Sequence, residues 1–407
     1  MKKYWKFTAT IAVIVFSIGA FYVNSALSAP QYPEFAIQTQ SGDIEEIESL
    51  VLEGGYHEGF VTSYTNTHFK ITSEGSEYRD GGSLIDQVRG QPSPIIKDLQ
   101  KKYRDFMRGK GQNIDLFFEN DKSIAYADVK YNMSASPSRD FKFDISIFNK
   151  DDGNTTSFNI NVPDTSVAEY IYIEDVQLIG NELKLITHNT IRKNESFFNE
   201  KHIYTLDISA GTITSNEKIL SIPQEQGNSY VDARLINTNP LQANENLVFL
   251  TTQSNFEEGT DGLRESSTSI ELISYNLKTQ EKETIELPES LKDSQVSFLD
   301  DSTIYFSKFS EQSLVVTPYS IENNQAGSEF TIQLSDAISN EGPPPIIIVK
   351  ENKLYAVSSI SDFKTNASVA VINAKTGESL YEGEVVRKNI PKNTQEFELY
   401  IYEMSVN

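Results

Sequence analysis

From about residue 45 onward the chain alternates short apolar runs with tight polar turns, and the cleanest example lies between Ile346 and Val386. It opens with Ile346-Ile347-Ile348-Val349, turns through Lys350-Glu351-Asn352-Lys353, and continues with Leu354-Tyr355-Ala356-Val357-Ser358. After a polar loop come Ser368-Val369-Ala370-Val371-Ile372-Asn373, the turn Ala374-Lys375-Thr376-Gly377-Glu378, and a last run from Ser379 to Val386. Short runs rich in β-branched residues and bounded by turn formers read as strands. The stretch therefore predicts four antiparallel strands joined by hairpin turns.

The unit recurs. Val176-Gln177-Leu178-Ile179 turns through Gly180-Asn181-Glu182 into Leu183-Lys184-Leu185-Ile186, and Val296-Ser297-Phe298-Leu299 turns at Asp301 into Thr303-Ile304-Tyr305-Phe306. Ile114-Asp115-Leu116-Phe117-Phe118 leads through Asp121 into Ile124-Ala125-Tyr126-Ala127. Weaker copies surround Asn244 and Glu58, where Leu50-Val51-Leu52 precedes Phe60-Val61-Thr62. The marker turns lie 50 to 64 residues apart, against about 40–50 in common propeller repeats, so the excess is expected in loops.

A fixed period of this kind predicts an all-β fold, a β-propeller of about six four-stranded blades with a seventh possible. The strand Phe397 to Tyr402 is left over. A ring must join its ends, so this strand is expected to complete a blade begun near the N-terminus, or else to belong to a degenerate seventh blade. Stacked β-sandwiches are the alternative architecture. The repeat, best seen in Thr376-Gly377-Glu378-Ser379-Leu380-Tyr381, resembles the broad β-propeller superfamily in its quinoprotein-like and YVTN-like forms across roughly residues 45–405. That resemblance implies a fold and no cofactor, since propellers host many unrelated functions.

Two segments depart from the strand pattern. Lys2, Lys3 and Lys6 precede an uncharged stretch with an apolar heart from Ile11 to Leu27. About 20 apolar residues span a bilayer as a helix, and basic residues before the run place its N-terminus inside. Residues 1–6 thus read as a short cytoplasmic tail, 7–29 as a transmembrane anchor or a cleaved signal peptide, and 30–44 as a polar linker. Either version places residues 34–407 outside the cytoplasm, at a cell envelope. The second departure is a helical insertion over 94–110: Pro94 in the first turn, Ile95, Ile96, Leu99, Tyr103, Phe106 and Met107 at spacings of three and four, and Gly109 after the end.

Charge sharpens the second departure. The chain has 407 residues and a formal net charge of −23, which argues against nucleic acid or an anionic surface as partner of the bulk protein. Within 94–110, however, six basic residues stand against Asp98 and Asp105. Lys97, Lys101, Lys102, Tyr103, Arg104 and Arg108 are therefore the candidate partner-binding residues, with Ile96, Tyr103 or Met107 as an apolar anchor. The plainer account is a helix that packs its apolar face on the propeller and leaves its lysines in water.

Catalytic and metal signals are sparse. Cysteine is absent, which excludes disulfides and thiolate metal sites. His188 and His202, with Glu195 and Glu200 nearby, could bind a metal only if the histidines share a face. The acidic turns 151–154 and 257–261 do not fit a full calcium loop. Ser361-Asp362-Phe363-Lys364 and Lys375-Thr376-Gly377 imitate two motifs of penicillin-recognising enzymes but lie too close together, with the third missing. Neither catalytic, cofactor nor metal residues are assigned. The functional expectation is a membrane-anchored, non-catalytic binding module for an envelope protein or wall polymer. The alternatives are a polymer-directed hydrolase or lyase with carboxylates at the channel, and a ligand-sensing subunit of a membrane complex.

Overall fold

The structure, a computed structural model, describes residues 33–58, 67–78, 92–131, 140–239, 241–259, 262–310, 313–334, 343–362, 365–388 and 397–406. The expected hairpin turns form because their residues tolerate the left-handed backbone such turns need. Glu351 and Asn352 both have positive φ (53° and 61°), as do Gly180 (60°) and Asp301 (52°). The turn Lys350–Lys353 closes its two strands in register, with Lys350 opposite Lys353 and Val349 opposite Leu354.

Among the described residues the strands form six antiparallel sheets, here blades I to VI. Blade II comprises Phe117–Glu119, Ser123–Lys130, Lys142–Asn149 and Thr155–Asn161. Blade III comprises Ala168–Ile179, Glu182–Lys193, Ser196–Asp207 and Thr212–Pro223. Blade IV is built on Ser229–Leu235, Asn246–Gly259, Gly262–Asn276 and Lys282–Ile285, and blade V on Gln295–Asp300, Thr303–Ser310, Ser313–Ser320 and Phe330–Gln333. Blade VI comprises Ile346–Lys350, Lys353–Val357, Ala367–Asn373 and Ser379–Arg387. Each blade contributes an inner strand to the border of one axial cavity, and the result is an all-β, propeller-like fold. Middle strands are covered by neighbouring blades on both faces, which is why they read as unbroken apolar runs. In Ala367–Asn373 every residue but the last is buried.

Blade I holds the closure. Leu50–Glu58, Thr67–Thr72 and Gly75–Tyr78 supply three of its strands, and the C-terminal strand Phe397–Val406 pairs on their inner side, with Leu50 opposite Val406 and Tyr56 opposite Leu399. The short strand Ile360–Asp362 covers the first part of that strand's free edge. The leftover strand thus completes the N-terminal blade, as ring closure demands. A second closure was not expected from the sequence. Phe35–Gly42, inside the segment read as a linker, is a strand that pairs with Ser379–Arg387 as the fifth strand of blade VI. Phe35 is buried and stacks on Phe69 of blade I at 5.7 Å, with Tyr56 and Phe397 against it. Its polar flanks hid it, because an edge strand needs only one apolar end to dock.

Other expectations shift as well. On its outer side Leu50–Glu58 pairs with Thr67–Thr72, while Phe60 to Thr62, expected to follow it in a hairpin, lie outside the described residues. Asn244 marks a ten-residue connection, 236–245, and not a tight turn. The helical insertion is two pieces, α1 (Pro94–Lys102) and α2 (Arg104–Met107), broken at Tyr103, where φ is −128° and ψ is 50°. The Tyr103 ring packs on Phe148 at 5.5 Å and its hydroxyl donates to Glu119 Oε1 at 3.5 Å, which holds the break. Among the described residues no helix is long and apolar enough to cross a membrane, and the anchor read over 7–29 lies outside them.

The core follows the seams. Separate apolar clusters join blades II and III, III and IV, IV and V, V and VI, and VI and I. At the seam between I and II, α1 and α2 take the place of a second sheet face. Ile96, Leu99, Phe106 and Met107 are buried against blade II, while a cavity of about 280 Å³ lined by Lys70, Glu77 and Lys101 separates α1 from blade I.

Truncation and substitution test the closure. Removing residues 397–407 strips blade I of its inner strand and bares Leu52 and Tyr56, so the product should lose its cooperative thermal transition. Phe35→Ala should cost about 3–5 kcal/mol by chemical denaturation, as a large aromatic leaves a closed seam. A Phe35→Ala protein as stable as the parent would make the N-terminal strand a passive tail.

Candidate functional site

Six inner strands converge on an axial cavity of about 430 Å³. Its floor is the connection 236–245, which crosses the ring and is pinned to four other blades. Asn239 Nδ2 donates to Val349 O (2.7 Å) and Asp300 Oδ1 (3.1 Å), and Glu119 N donates to Leu241 O at 3.0 Å. Gln177 accepts from Asn244 N (2.9 Å) and donates to Gln242 O (3.2 Å). The channel is therefore a blind funnel.

Its walls follow the two-residue period of a strand. In blade III, Tyr172 and Glu174 line the funnel and the exposed Tyr170 lies on the same side of the strand, while Ile171 and Ile173 are buried between them. In blade I, Tyr402 lines the funnel with exposed Tyr400 two residues before it and buried Ile401 between; in blade IV, Tyr230 and Asp232 are exposed around buried Val231, on the alternation that brings Arg234 to the cavity. These five tyrosines are 39 to 50 % exposed, unusual for large aromatic residues on the innermost strands of a ring. Sequence reasoning missed them. The signal was present in Tyr170-Ile171-Tyr172-Ile173 and Tyr400-Ile401-Tyr402, where aromatic residues occupy the side of an alternating strand that elsewhere is polar.

Carboxylates share the wall. Asp115, Glu174, Asp175 and Glu403 line the cavity, against one guanidinium, that of Arg234. Desolvation raises Asp115 and Glu174, the latter against the pull of Lys201. It raises Asp175 to about 7, although Gln177 Nε2 and the Val176 N–H hydrogen-bond its carboxylate.

Behind Tyr172 lies a polar row that the strand register lines up across blade III: Tyr172 opposite His188, and His188 opposite Lys201. Lys201 is 0 % exposed and donates to Glu174 Oε1 at 2.5 Å and to His188 Nδ1 at 2.9 Å. Burial first, and then the Lys201 charge, push His188 down to about 4, so the ring is neutral. With Nδ1 accepting, the proton sits on Nε2 and is donated to Asn199 Oδ1 at 3.1 Å. The Tyr172 ring stacks on this imidazole at 4.9 Å and 14°. A buried lysine thus fixes an imidazole, and the imidazole fixes a tyrosine at the funnel.

The two histidines do not meet. His202 lies opposite Thr187, one register position from the His188–Lys201 pair, so it faces the other side of the sheet. It hydrogen-bonds Glu200 Oε2 (3.0 Å) and Asn216 Oδ1 (2.8 Å). Glu195 occupies the tip of the hairpin with φ of 71°. Among the described residues no group of three or more His, Asp or Glu is placed to hold a metal ion.

The candidate partner-binding residues stay on the surface around α1. Lys101, Lys102, Arg104 and Arg108 are exposed, with Asp98 3.9 Å from Lys101 and Asp105 3.6 Å from Arg108. Lys97 and Tyr103 are half-buried, and the proposed anchors Ile96 and Met107 are buried in the core, so neither is available to a partner.

Glu200 gives a pH-dependent test of the blade III network. Burial opposes its charge, but hydrogen bonds from Ser221, His202 and Lys193, with the Lys218 charge, hold it at about 2. A depressed folded-state value stabilises the fold above the unfolded carboxylate pKa, and the gain is lost as pH falls through the folded one. Glu200→Gln should therefore lower stability at pH 7 by roughly 3 kcal/mol, and the gap from the parent should close between pH 5 and pH 2 in urea melts.

No family model and no curated protein matches the chain. Among solved structures, a mutant of the Synechocystis apocarotenoid oxygenase shares 11% identity at a TM-score of 0.43, covering 93% of this chain and 96% of that one. TolB from Acinetobacter baumannii shares 13% at 0.29 (90% and 77% covered), and polysaccharide lyase Uly1 shares 10% at 0.35 (70% and 57% covered). These likenesses are too distant to carry an argument about activity or ligand.

Proposed function

We propose that the protein is a binding module of the cell envelope, held at the membrane by the apolar segment 7–29 and displaying its ring outside. Its ligand enters the blind funnel. The observation that carries this reading is a pair of exposed tyrosines, Tyr172 of blade III and Tyr402 of blade I, on the wall of one cavity of about 430 Å³, with the exposed Tyr170 and Tyr400 two residues along the same strands. Binding cavities of that size pair aromatic walls with a few fixed polar groups, and tyrosine gives a large contact area with little rotamer entropy to lose. The wall carboxylates support binding over catalysis, because Glu174 is committed to Lys201 and Asp175 to Gln177 and Val176. The basic surface of α1, with Lys101, Lys102, Arg104 and Arg108, is a secondary contact for an acidic partner.

One observation favours a second reading. Asp175 titrates at about 7, a value suited to general acid chemistry on a wall or extracellular polymer.

Retention of isolated wall polymer by the full-length protein in uncharged detergent separates these. Tyr172→Ala with Tyr402→Ala should weaken retention at least tenfold, while Asp175→Asn and the reversal of Lys101 and Lys102 to Glu leave it within twofold. Polymer shortened by the parent but not by Asp175→Asn would establish the hydrolase instead. Protease added to intact protoplasts should digest the ring, and protection would refute the outward placement.

A further inference from the structure

We infer that the funnel is selective for an alkylammonium cation, seated on the open face of Tyr172 with its charge matched by Glu174, Asp115 and Asp232. The inference rests on the funnel being the ligand site and names the chemistry that site would choose.

Three observations carry it. The Tyr172 ring is stacked on neutral His188, touches Tyr170 at 5.7 Å in a tilted contact, remains 39 % exposed and lines the cavity. A ring fixed in this way presents its negative quadrupole face without an entropic cost on binding. Second, Glu174 Oε2 is buried and has no hydrogen-bond partner among the described residues, although Oε1 takes the Lys201 ammonium. The Glu174 charge is thus hydrogen-bonded through one oxygen alone, and a cation at the wall compensates it through space without needing a hydrogen bond. Third, carboxylates on three blades act electrostatically on Tyr172: Glu174 on its own strand, Asp232 from blade IV and Asp115 from blade II. Their shared field is negative where the rings are.

The choice of cation follows from size and surface. A cavity of about 430 Å³ is far larger than a bare metal ion, and two exposed tyrosines, Tyr172 and Tyr402, stand on its wall. A cation clothed in methyl or methylene groups satisfies both, since it loses little hydration and gains the rings. Arg234 does not cancel this field at Tyr172. Its guanidinium is directed to blade V, where it donates to Val296 O at 3.4 Å.

Choline and its uncharged isostere 3,3-dimethylbutan-1-ol are the probes, titrated calorimetrically into the full-length protein in uncharged detergent at low salt. Choline should bind at least tenfold more tightly than the alcohol, and the advantage should shrink in 0.5 M sodium chloride. Tyr172→Leu should weaken choline at least tenfold. Glu174→Gln should do the same. Because it leaves Lys201 with one partner fewer, it is paired with Asp115→Asn, an exposed change that leaves folding intact and should weaken choline about threefold. Equal binding of the two probes, or choline affinity unchanged in both carboxylate variants, overturns the cation inference. Wall-polymer retention that survives Tyr172→Ala with Tyr402→Ala overturns the funnel itself, so the two failures are distinguishable.

Discussion

Closing the ring is the constraint on which everything else depends. A blade is a sheet with two faces, and only a neighbour on each side removes both from water. The chain meets this requirement twice at one place: the C-terminal strand joins the inner side of blade I, and Phe35–Gly42 becomes the outermost of blade VI. Phe35 then sits between the two, buried against Phe69, Tyr56 and Phe397. Chain ends far apart in sequence thus share one apolar cluster. With the ring shut, the inner strands hold their positions around the axis, and a funnel with a defined floor can exist.

The seam between blades I and II is solved differently. Two sheets do not meet there through a shared apolar cluster among the described residues; α1 and α2 fill the space, with Ile96, Leu99, Phe106 and Met107 turned to blade II. Each such burial contributes roughly 1.5–3 kcal/mol. This ties the insertion to stability first, and its basic residues are the solvated outer side of a wedge. The positive charge that singled the helix out in the sequence is therefore explained without a partner, although the patch remains open to one.

Blade III does for the funnel what the seams do for the ring. A buried lysine is tolerated because it has two partners, and one of them, His188, is kept neutral by the same burial. Such a chain is stiff, since displacing any member leaves a buried polar group unpaired. Stiffness there means that Tyr172 meets a ligand already placed. The opposite face of the same sheet carries a separate network around Glu200 and His202, so one blade supports two polar clusters without mixing them.

Much of the architecture was legible in the residues. The strands of blade VI, the turn at Glu351-Asn352 and the role of Phe397 to Tyr402 follow from local periodicity and from the requirement that a ring close. So does the apolar face of 94–107, because helical spacing states which side is buried. The strand at Phe35–Gly42 was not legible, since its partner lies more than 300 residues away and its own composition is polar. The funnel was less legible still. Tyr172 and Tyr402 each sit in an ordinary alternating strand, and nothing local says that both line one cavity. In the sequence His188 stands out only as a candidate metal ligand and Lys201 not at all, yet register places them in one buried row. Local pattern determined most of the strands, the helix and one of the two closures of the ring. Which side chains meet at its centre was decided by tertiary structure alone, because that depends on the register of strands from six blades at once.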